Sequence, residues 1–539
     1  MGFCRTYFLK NIIIGRSWKV MGVQFINAKE AAYRIPDDIT LGTNGFMGTA
    51  FPEEIAAELE NRFLETGKPT GLTLYFCAAQ GDNMKKGLHH LAYAGLLRRT
   101  IGGHYGMARK IGELVVNNQI EAYDLPQGVV AHLLRATAAH QPGELTRVGL
   151  GTFVDPRLAG GKMNERTSTK EDLVQLVHLN GEDYLFYKSI PIDVALIAGT
   201  YADEDGNISF EREGVKGEAL AMAMACKNSG GKVIVQVQRV VESGSLDPRK
   251  VEIPGVLVDV VVVASDLKYC MQNWNTQYNP GFSGEHRIST KQLPAVALNN
   301  KKVIARRAAM ELEEDSTVNL GVGIPEFISA VAAEEGIGRR FTLTVEDGIF
   351  GGSPASGLDF GVSLNPSCMV TMQSMFDYYD GGGLDQAFVG FAEGDLRGNV
   401  NVSLFGDRMP GCGGFIDITQ NAKKVYFCGT FTAKGLKTEI GNGRLKIVQE
   451  GHALKFQEKV HQITFSAQTA LKNKLPVMYI TERAVFRLTE KGVMLCEAAP
   501  GIDVEKDIIA LMPSRPLIAP DFHLMDERIF HEGKMGLKA

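Results

Sequence analysis

The sequence has little tryptophan, 2 residues in 539, and it lacks a CxxC pair, a long apolar run and an excess of either charge. Its eight cysteines are scattered (4, 77, 226, 270, 368, 412, 428 and 496) and form no cluster with histidine at metal-ligand spacing. That pattern excludes a disulfide framework and a zinc module, and it suits reduced thiols in a cytoplasmic enzyme. The 57 Lys and Arg against 62 Asp and Glu leave a net charge of −5, so the chain has no basic footprint for nucleic acid. The longest apolar run, Val256–Ala264, contains Asp259 and is far too short to cross a bilayer. Neither a nucleic-acid partner nor a membrane is expected. With 45% hydrophobic and 22% charged residues, intrinsic disorder is excluded as well.

What the chain does have is glycine: 60 residues, well above the roughly 7% average. Many fall in pairs or triplets, such as Gly351-Gly352, Gly381-Gly382-Gly383 and Gly413-Gly414. Such clusters mark tight turns and places where backbone approaches another group closely. The first 29 residues stand apart, with Arg5, Lys10, Arg16, Lys19 and Lys29 and no acid before Glu30. They fit loosely a transit peptide, and Gly2 with Thr6 fits a myristoylation pattern. The plainer expectation is a disordered N-terminal extension over 1–21, or a start at Met21.

Apolar strands alternate with helices. Pro52–Thr66 has a first-turn proline, early acids, Ile55, Leu59 and Phe63 at helical spacing, and Gly67 as a stop. Leu72–Ala78, Val233–Val237 and Val256–Val263 read as strands, the last two as β-branched runs covered on both faces. An α/β fold with mostly parallel sheets follows. The chain also repeats itself. Ala31-Ala32, Asp38 and Thr40 recur 277 positions on as Ala308-Ala309, Asp315 and Thr317. Asp193, Ala195, Asp203, Gly206 and Asn207 recur 192 positions on as Asp385, Ala387, Asp395, Gly398 and Asn399. An ordered series at constant offset predicts two homologous α/β domains, 22–285 and 301–539, joined by a polar linker at 286–300. The overlay sets Glu346 against Cys77, so the halves differ at the end of one strand.

Glu346 ends the apolar segment Phe341–Val345, ahead of Asp347 and Gly348. Ligands gather at strand carboxyl ends in α/β proteins. A carboxylate there serves as nucleophile or general base, or is simply a surface glutamate. Gly321-Val322-Gly323-Ile324-Pro325 leads into a helix at Glu326–Glu335, either as a plain βα turn or as backbone open to a phosphate. It is no dinucleotide fingerprint, since position 326 is Glu, and Gly161-Lys162-Met163 is no Walker loop. Gly411-Cys412-Gly413-Gly414 reads equally as an oxyanion hole and as a turn. Gln127, after Pro126, is an amide donor or a helix-start residue. His89, His90 and His104 have no nucleophile elbow near them and read as structural.

These segments carry a family resemblance. YDLPQGVVAHLLRA (123–136), GLGTFVDPRLAGGKMNE (149–165), VNLGVGIPE (318–326), LTVEDGIFGG (343–352), FDYYDGGGLD (376–385), GCGGFIDIT (411–419) and ITERAVF (480–486) run in order along the chain. Together they resemble the fused form of the family I CoA-transferases, within it the propionate and short-chain acyl-CoA:acetate transferases. The resemblance implies two CoA-transferase-like α/β domains, an α-like 22–285 and a β-like 301–539 carrying the catalytic Glu, with the active site between them. It implies Glu346 as nucleophile, Gly321, Val322, Gly323, Ile324 and Pro325 along the CoA, and Gly414 and Gln127 as donors to the thioester carbonyl, with Gly414 also touching CoA. It implies no metal and no tightly bound cofactor, coenzyme A entering as substrate, with acyl-CoA and short-chain carboxylates as small-molecule partners and a homo-oligomer as the assembly.

The implied chemistry is a ping-pong transfer through a glutamyl-CoA thioester on Glu346. Two positions depart from the pattern: Asp347, where relatives often have Ser or Asn, and Pro410, where some have Asn. A second acid beside the nucleophile is expected to repel an anionic substrate. An acyl-CoA hydrolase using the same Glu, or a non-catalytic CoA- or ligand-binding protein on this fold, is the competing reading.

Overall fold

The computed structural model describes residues 22–289 and 296–537. The expected extension at 1–21 and residues 290–295 of the expected linker lie outside them. The first half is built on an eight-stranded sheet: β1 (Gln24–Ile26), β2 (Thr40–Thr43), β3 (Leu72–Ala78), β4 (Leu97–His104), β5 (Glu121–Asp124), β6 (Val194–Ala198), β7 (Lys232–Val237) and β8 (Val260–Val263). Their spatial order is β1-β8-β7-β6-β2-β3-β4-β5, and every neighbouring pair is parallel.

The second half carries a ten-stranded sheet: β9 (Thr317–Leu320), β10 (Thr342–Val345), β11 (Ile349–Phe350), β12 (Cys368–Met369), β13 (Gln386–Gly390), β14 (Val425–Cys428), β15 (Val477–Ile480), β16 (Ala484–Thr489), β17 (Gly492–Ala498) and β18 (Leu517–Leu524). The order is β12-β11-β10-β9-β13-β14-β15-β16-β17-β18. Its central five strands, β10, β9, β13, β14 and β15 in spatial order, are parallel. Antiparallel pairs extend both edges, and the outermost pair on one edge, β17–β18, is parallel again.

The repeat in the sequence is a repeat in the fold, since β3-β2-β6-β7-β8 and β10-β9-β13-β14-β15 are the same arrangement. The repeated residues make the same bonds. Asp193 Oδ2 accepts from Thr40 N–H at 2.8 Å, and Asp385 Oδ2 accepts from Thr317 N–H at 2.8 Å. Asp203 Oδ2 accepts from Asn207 Nδ2 at 2.9 Å, and Asp395 Oδ2 from Asn399 Nδ2 at 3.0 Å.

Six helices position the site: α1 (Glu53–Thr66), α2 (Gln127–Ala138), α3 (Ala219–Asn228), α4 (Glu326–Glu335), α5 (Met372–Asp380) and α6 (Phe415–Asn421). Helix α1 starts after Pro52 and ends at Gly67, whose φ of 69° closes the last turn as the sequence predicts. The strand expected over Val256–Val263 is shorter than predicted. Pro254 and a 3-10 turn at Gly255–Leu257 precede it, Val256 is exposed, and pairing begins only at Val260. Asp259 sets that start, accepting from Val233 N–H at 3.0 Å and from Lys227 Nζ at 2.8 Å.

One continuous core runs through both halves, from Leu74 and Val130 to Phe376, Ile416 and Phe427. Among the described residues no helix is long and apolar enough to cross a membrane.

Candidate active site

The strand carboxyl ends of the second sheet and the seam between the halves meet in one region. Glu346 stands at the end of β10, in a three-residue loop, Glu346-Asp347-Gly348, that turns the chain into antiparallel β11. Gly348 closes this loop with φ 112°, and a Cβ there would lie 2.1 Å from Val370 O, so only glycine fits. The loop thus packs against Val370 and places Glu346 half-buried at the strand end. Burial raises the Glu346 carboxyl above the ordinary glutamate range, while its own N–H and the Asn319 side-chain amide offset part of that rise. Asn319 projects from the neighbouring β9, where its amide nitrogen also lies 3.3 Å from Tyr379 Oη.

Asp347 points the other way. It is fully buried, and neither carboxylate oxygen has a hydrogen-bond partner among the described residues. Burial pushes its carboxyl well above the usual carboxylate range, and the negative charge of Glu218 and Glu346 adds to the shift. Glu218, just before α3 in the first half, is buried too, and its carboxyl is pushed up to about 8. Cys77, the counterpart of Glu346 in the repeat, completes this buried group; burial raises its thiol, with Glu218 and Asp347 contributing.

The glycine-rich turn 411–414 threads into the first half. Pro410 O accepts from Tyr105 N–H at 2.6 Å, Gly103 O from Gly413 N–H at 2.6 Å, and Gly413 O from Gln127 N–H at 2.9 Å. Gly411 N–H donates to Ser403 O at 3.1 Å, and Cys412 N–H to Asp124 Oδ2 at 2.9 Å. Three of the four turn amides are therefore engaged. Gly414, the residue that caps α6, donates to no acceptor among the described residues. Among the described residues the buried side-chain amide of Gln127 is engaged only by Met372 Sδ, at 3.8 Å. The structure thus brings Gln127 and Gly414 to one place, each with an N–H to spare.

Helix α5 reaches both groups: its Phe376 ring lies against Gly414 and its Met372 against Gln127. Its Tyr379 Oη meets Asn319, whose amide favours the charged Glu346 carboxylate. Met372 N–H donates to Gly217 O at 2.9 Å, and a Cβ on Gly217 would lie 3.5 Å from Asp347 Oδ1. Gly321-Val322-Gly323-Ile324-Pro325 follows β9, beside Glu346. Gly321 N–H pairs with Phe388 O at 2.8 Å, Gly323 N–H donates to Glu326 Oε1 at 2.5 Å, and Val322 is exposed. This is an open backbone turn at the head of α4. His90 lies elsewhere, between Glu53 and Glu60 of α1, and is pushed up to about 9. Burial holds His104 down at about 4.

Sequence reasoning did not single out Asn319 or Glu218. Asn319 gives a faint signal, a polar residue inside an apolar strand; Glu218 lies in no motif, and only the packing reveals it.

The molecule is thus a doubled α/β scaffold with Glu346 at a strand end of one half and the Gly414 and Gln127 amides at the seam with the other. The sequence matches the Coenzyme A transferase family over residues 25–264, and the chain belongs to that family. It is 47% identical over 519 residues to the caffeate CoA-transferase of Acetobacterium woodii, covering 95% of this chain and 98% of that one. It is 44% identical over 515 residues to the acetate CoA-transferase YdiF of Escherichia coli K12, covering 95% and 96%. The crystal structure of the acyl-CoA transferase YdiF from E. coli O157:H7, a thioester complex with CoA, matches with a TM-score of 0.91 at 43% identity, over 96% of this chain and 98% of that one. The protein is an enzyme that transfers CoA; the non-catalytic reading is set aside.

Proposed function

We propose that this enzyme moves CoA between a short-chain acyl-CoA, acetyl- or propionyl-CoA, and a short-chain carboxylate, with Glu346 as the covalent carrier. A Glu346 carboxylate oxygen attacks the thioester carbonyl, the C–S bond breaks, and CoA leaves as thiolate from an acyl-glutamyl anhydride. The thiolate then attacks the glutamyl carbonyl and the C–O bond of the anhydride breaks. The first acid departs as carboxylate, leaving a glutamyl-CoA thioester. An incoming carboxylate reverses the two steps. Each addition creates a tetrahedral oxyanion. The free Gly414 N–H and the Gln127 amide are its donors, each worth about 3–4 kcal/mol where such donors have been removed from other enzymes. The observation that carries this reading is that Gly414 alone among the turn amides has no acceptor among the described residues, beside Gln127, and that α5 touches both Gly414 and the Asn319 that meets Glu346. The seam between the halves keeps water from the anhydride.

Gly321–Pro325 lies along the CoA, and domain boundaries of 22–285 and 301–539 follow from the repeat. A cytoplasmic location suits the seven free thiols among the described residues, and a homo-oligomer is the assembly that the family resemblance implies. The test is mass spectrometry after mixing the protein with propionyl-CoA and no acceptor. A CoA-sized adduct on the Glu346 peptide is expected. It should be absent in Glu346→Ala and be discharged by acetate, with caffeate and propionate compared as acceptors. Free CoA and propionate accumulating without an adduct would identify a hydrolase and overturn the proposal.

A further inference from the structure

Lys455 has no part in the chemistry above, yet its ammonium is placed with care. It stands between the short strands Ala453–Leu454 and Phe456–Gln457, and its carbonyl is pinned by Gly394 N–H at 2.9 Å. Its Nζ lies 4.2 Å from the centroid of the Phe391 ring. A Cβ on Gly429 would fall 2.7 Å from that Nζ, so the absence of a side chain at 429 makes the room. Among the described residues no carboxylate pairs with it and no acceptor takes its protons. The one acid that acts on it, Glu482, is already engaged by Arg483 Nε at 2.7 Å and Phe431 N–H at 2.8 Å. The residue is half-buried, and its ammonium lies against an aromatic face with no acceptor beside it, a place that a phosphate oxygen would fill with a charge-assisted bond. Burial lowers its pKa to about 8.

Its position says which ligand. Phe391 follows β13 and Gly429 follows β14, so Lys455 sits over the carboxyl ends of those two strands. Along the same edge, in the order β10, β9, β13, β14, come Glu346, the Gly321–Pro325 turn, Phe391 and Gly429. A Cβ on Gly390 would lie 3.7 Å from Val322 O, which joins the turn to this end of β13. At about 4.8 Å per strand, Lys455 is on the order of 12 Å from the end of β10. That is too far for a short acid whose carboxylate must meet Glu346. It is within reach of the phosphates at the other end of a pantetheine arm laid across the turn.

We propose that Lys455 is the phosphate anchor of the acyl-CoA substrate, pairing with a phosphate of the CoA handle beyond the Gly321–Pro325 turn. This rests on the reading of Glu346 and that turn as the acyl-CoA site. Lys455 positions the handle and takes no part in bond making.

The experiment compares wild type, Lys455→Met and Lys455→Arg with propionyl-CoA, propionyl-dephospho-CoA and propionyl-pantetheine. Lys455→Met is expected to raise the KM for propionyl-CoA about tenfold or more, as loss of one charge-assisted contact does, with a much smaller change in kcat. Propionyl-pantetheine, which has no phosphate, should show no such penalty, and Lys455→Arg should recover most of the affinity. A penalty retained with the dephospho substrate assigns the contact to the pyrophosphate; a penalty lost with it assigns the 3′-phosphate. An unchanged KM for propionyl-CoA, an equal penalty with propionyl-pantetheine, or a shift in the KM of the acid instead overturns the proposal.

Should Lys455→Met fail to fold, wild type provides the test. Its KM for propionyl-CoA should climb above pH 8 while that for propionyl-pantetheine stays level, and parallel pH profiles would sink the idea. Calorimetric CoA binding by wild type and Lys455→Arg reads the anchor whatever becomes of Glu346 as nucleophile. A missing adduct in wild type would count against Glu346 alone.

Discussion

The carboxyl of Asp347 behaves unlike what its place in the sequence suggests. Beside a nucleophilic glutamate, a second acid is expected to repel an incoming carboxylate. In the folded protein it turns into the seam, its two oxygens without donors, and burial favours the protonated form. A protonated carboxyl repels nothing, so the departure from Ser or Asn need not slow the enzyme. What it does is couple stability to pH. The native state keeps a proton that the unfolded chain loses above the ordinary carboxylate range. Stability from this group is therefore present at low pH and declines as pH rises, by up to about 1.4 kcal/mol per unit until the native group ionises. Asp347→Asn removes that slope. Chemical unfolding of wild type and variant from pH 5 to pH 9 should show the variant gaining relative stability as pH rises. Parallel curves would mean that Asp347 is ionised in the native state.

At the scale of the element, what the sequence made legible was local. The start of α1 after Pro52 and its stop at Gly67 are written in neighbouring residues, as are the limits of β3. Glu346 was legible as a strand end because the apolar run stops there. The run at Val256–Val263 misleads because its break depends on Asp259 meeting Lys227 and Val233, partners that only folding supplies. Glu218 and Lys455 were illegible for the same reason: nothing near them in sequence marks what they face. Helix α5 shows how elements build the site. Its Phe376 is fully buried where α2 and the 411–414 turn converge: a Cβ on Gly128 would lie 2.6 Å from the ring, and one on Gly414 3.2 Å. The ring therefore sets the spacing of Gln127 and Gly414. Phe376→Ala should cost about 3–5 kcal/mol of stability, and Phe376→Leu less. Because the donors shift, kcat should drop by up to about 100-fold with a smaller change in KM. A loss of stability with kcat intact would show that α5 packs the seam without placing the donors.

The whole molecule is one scaffold used twice and closed on itself. Equivalent positions of the repeat, Cys77 and Glu346, both end at the seam, one as an inert buried thiol and one as the carboxylate. On the proposed reading the site needs both halves, since Gln127 comes from the first and Glu346 and Gly414 from the second. What joins them is the seam rather than the connecting peptide. Besides the shared core, Phe153 N–H donates to Ile463 O at 2.8 Å, Gly149 N–H to Gln420 Oε1 at 2.8 Å, and Arg135 Nη2 to Asp377 Oδ1 at 2.8 Å. Both flanks of the connection are held by the second half. Ile288 N–H donates to Asn365 Oδ1 at 2.8 Å, and Val296 N–H to Glu334 Oε1 at 2.7 Å. Cutting the chain within 290–295 therefore removes none of these contacts, and it leaves a continuous hydrophobic core to hold the fragments together. A protease site placed in that segment and cleaved after folding should yield two fragments that co-elute in gel filtration and still transfer CoA. Fragments that separate, or an inactive pair, would mean that the connection itself holds the halves in register.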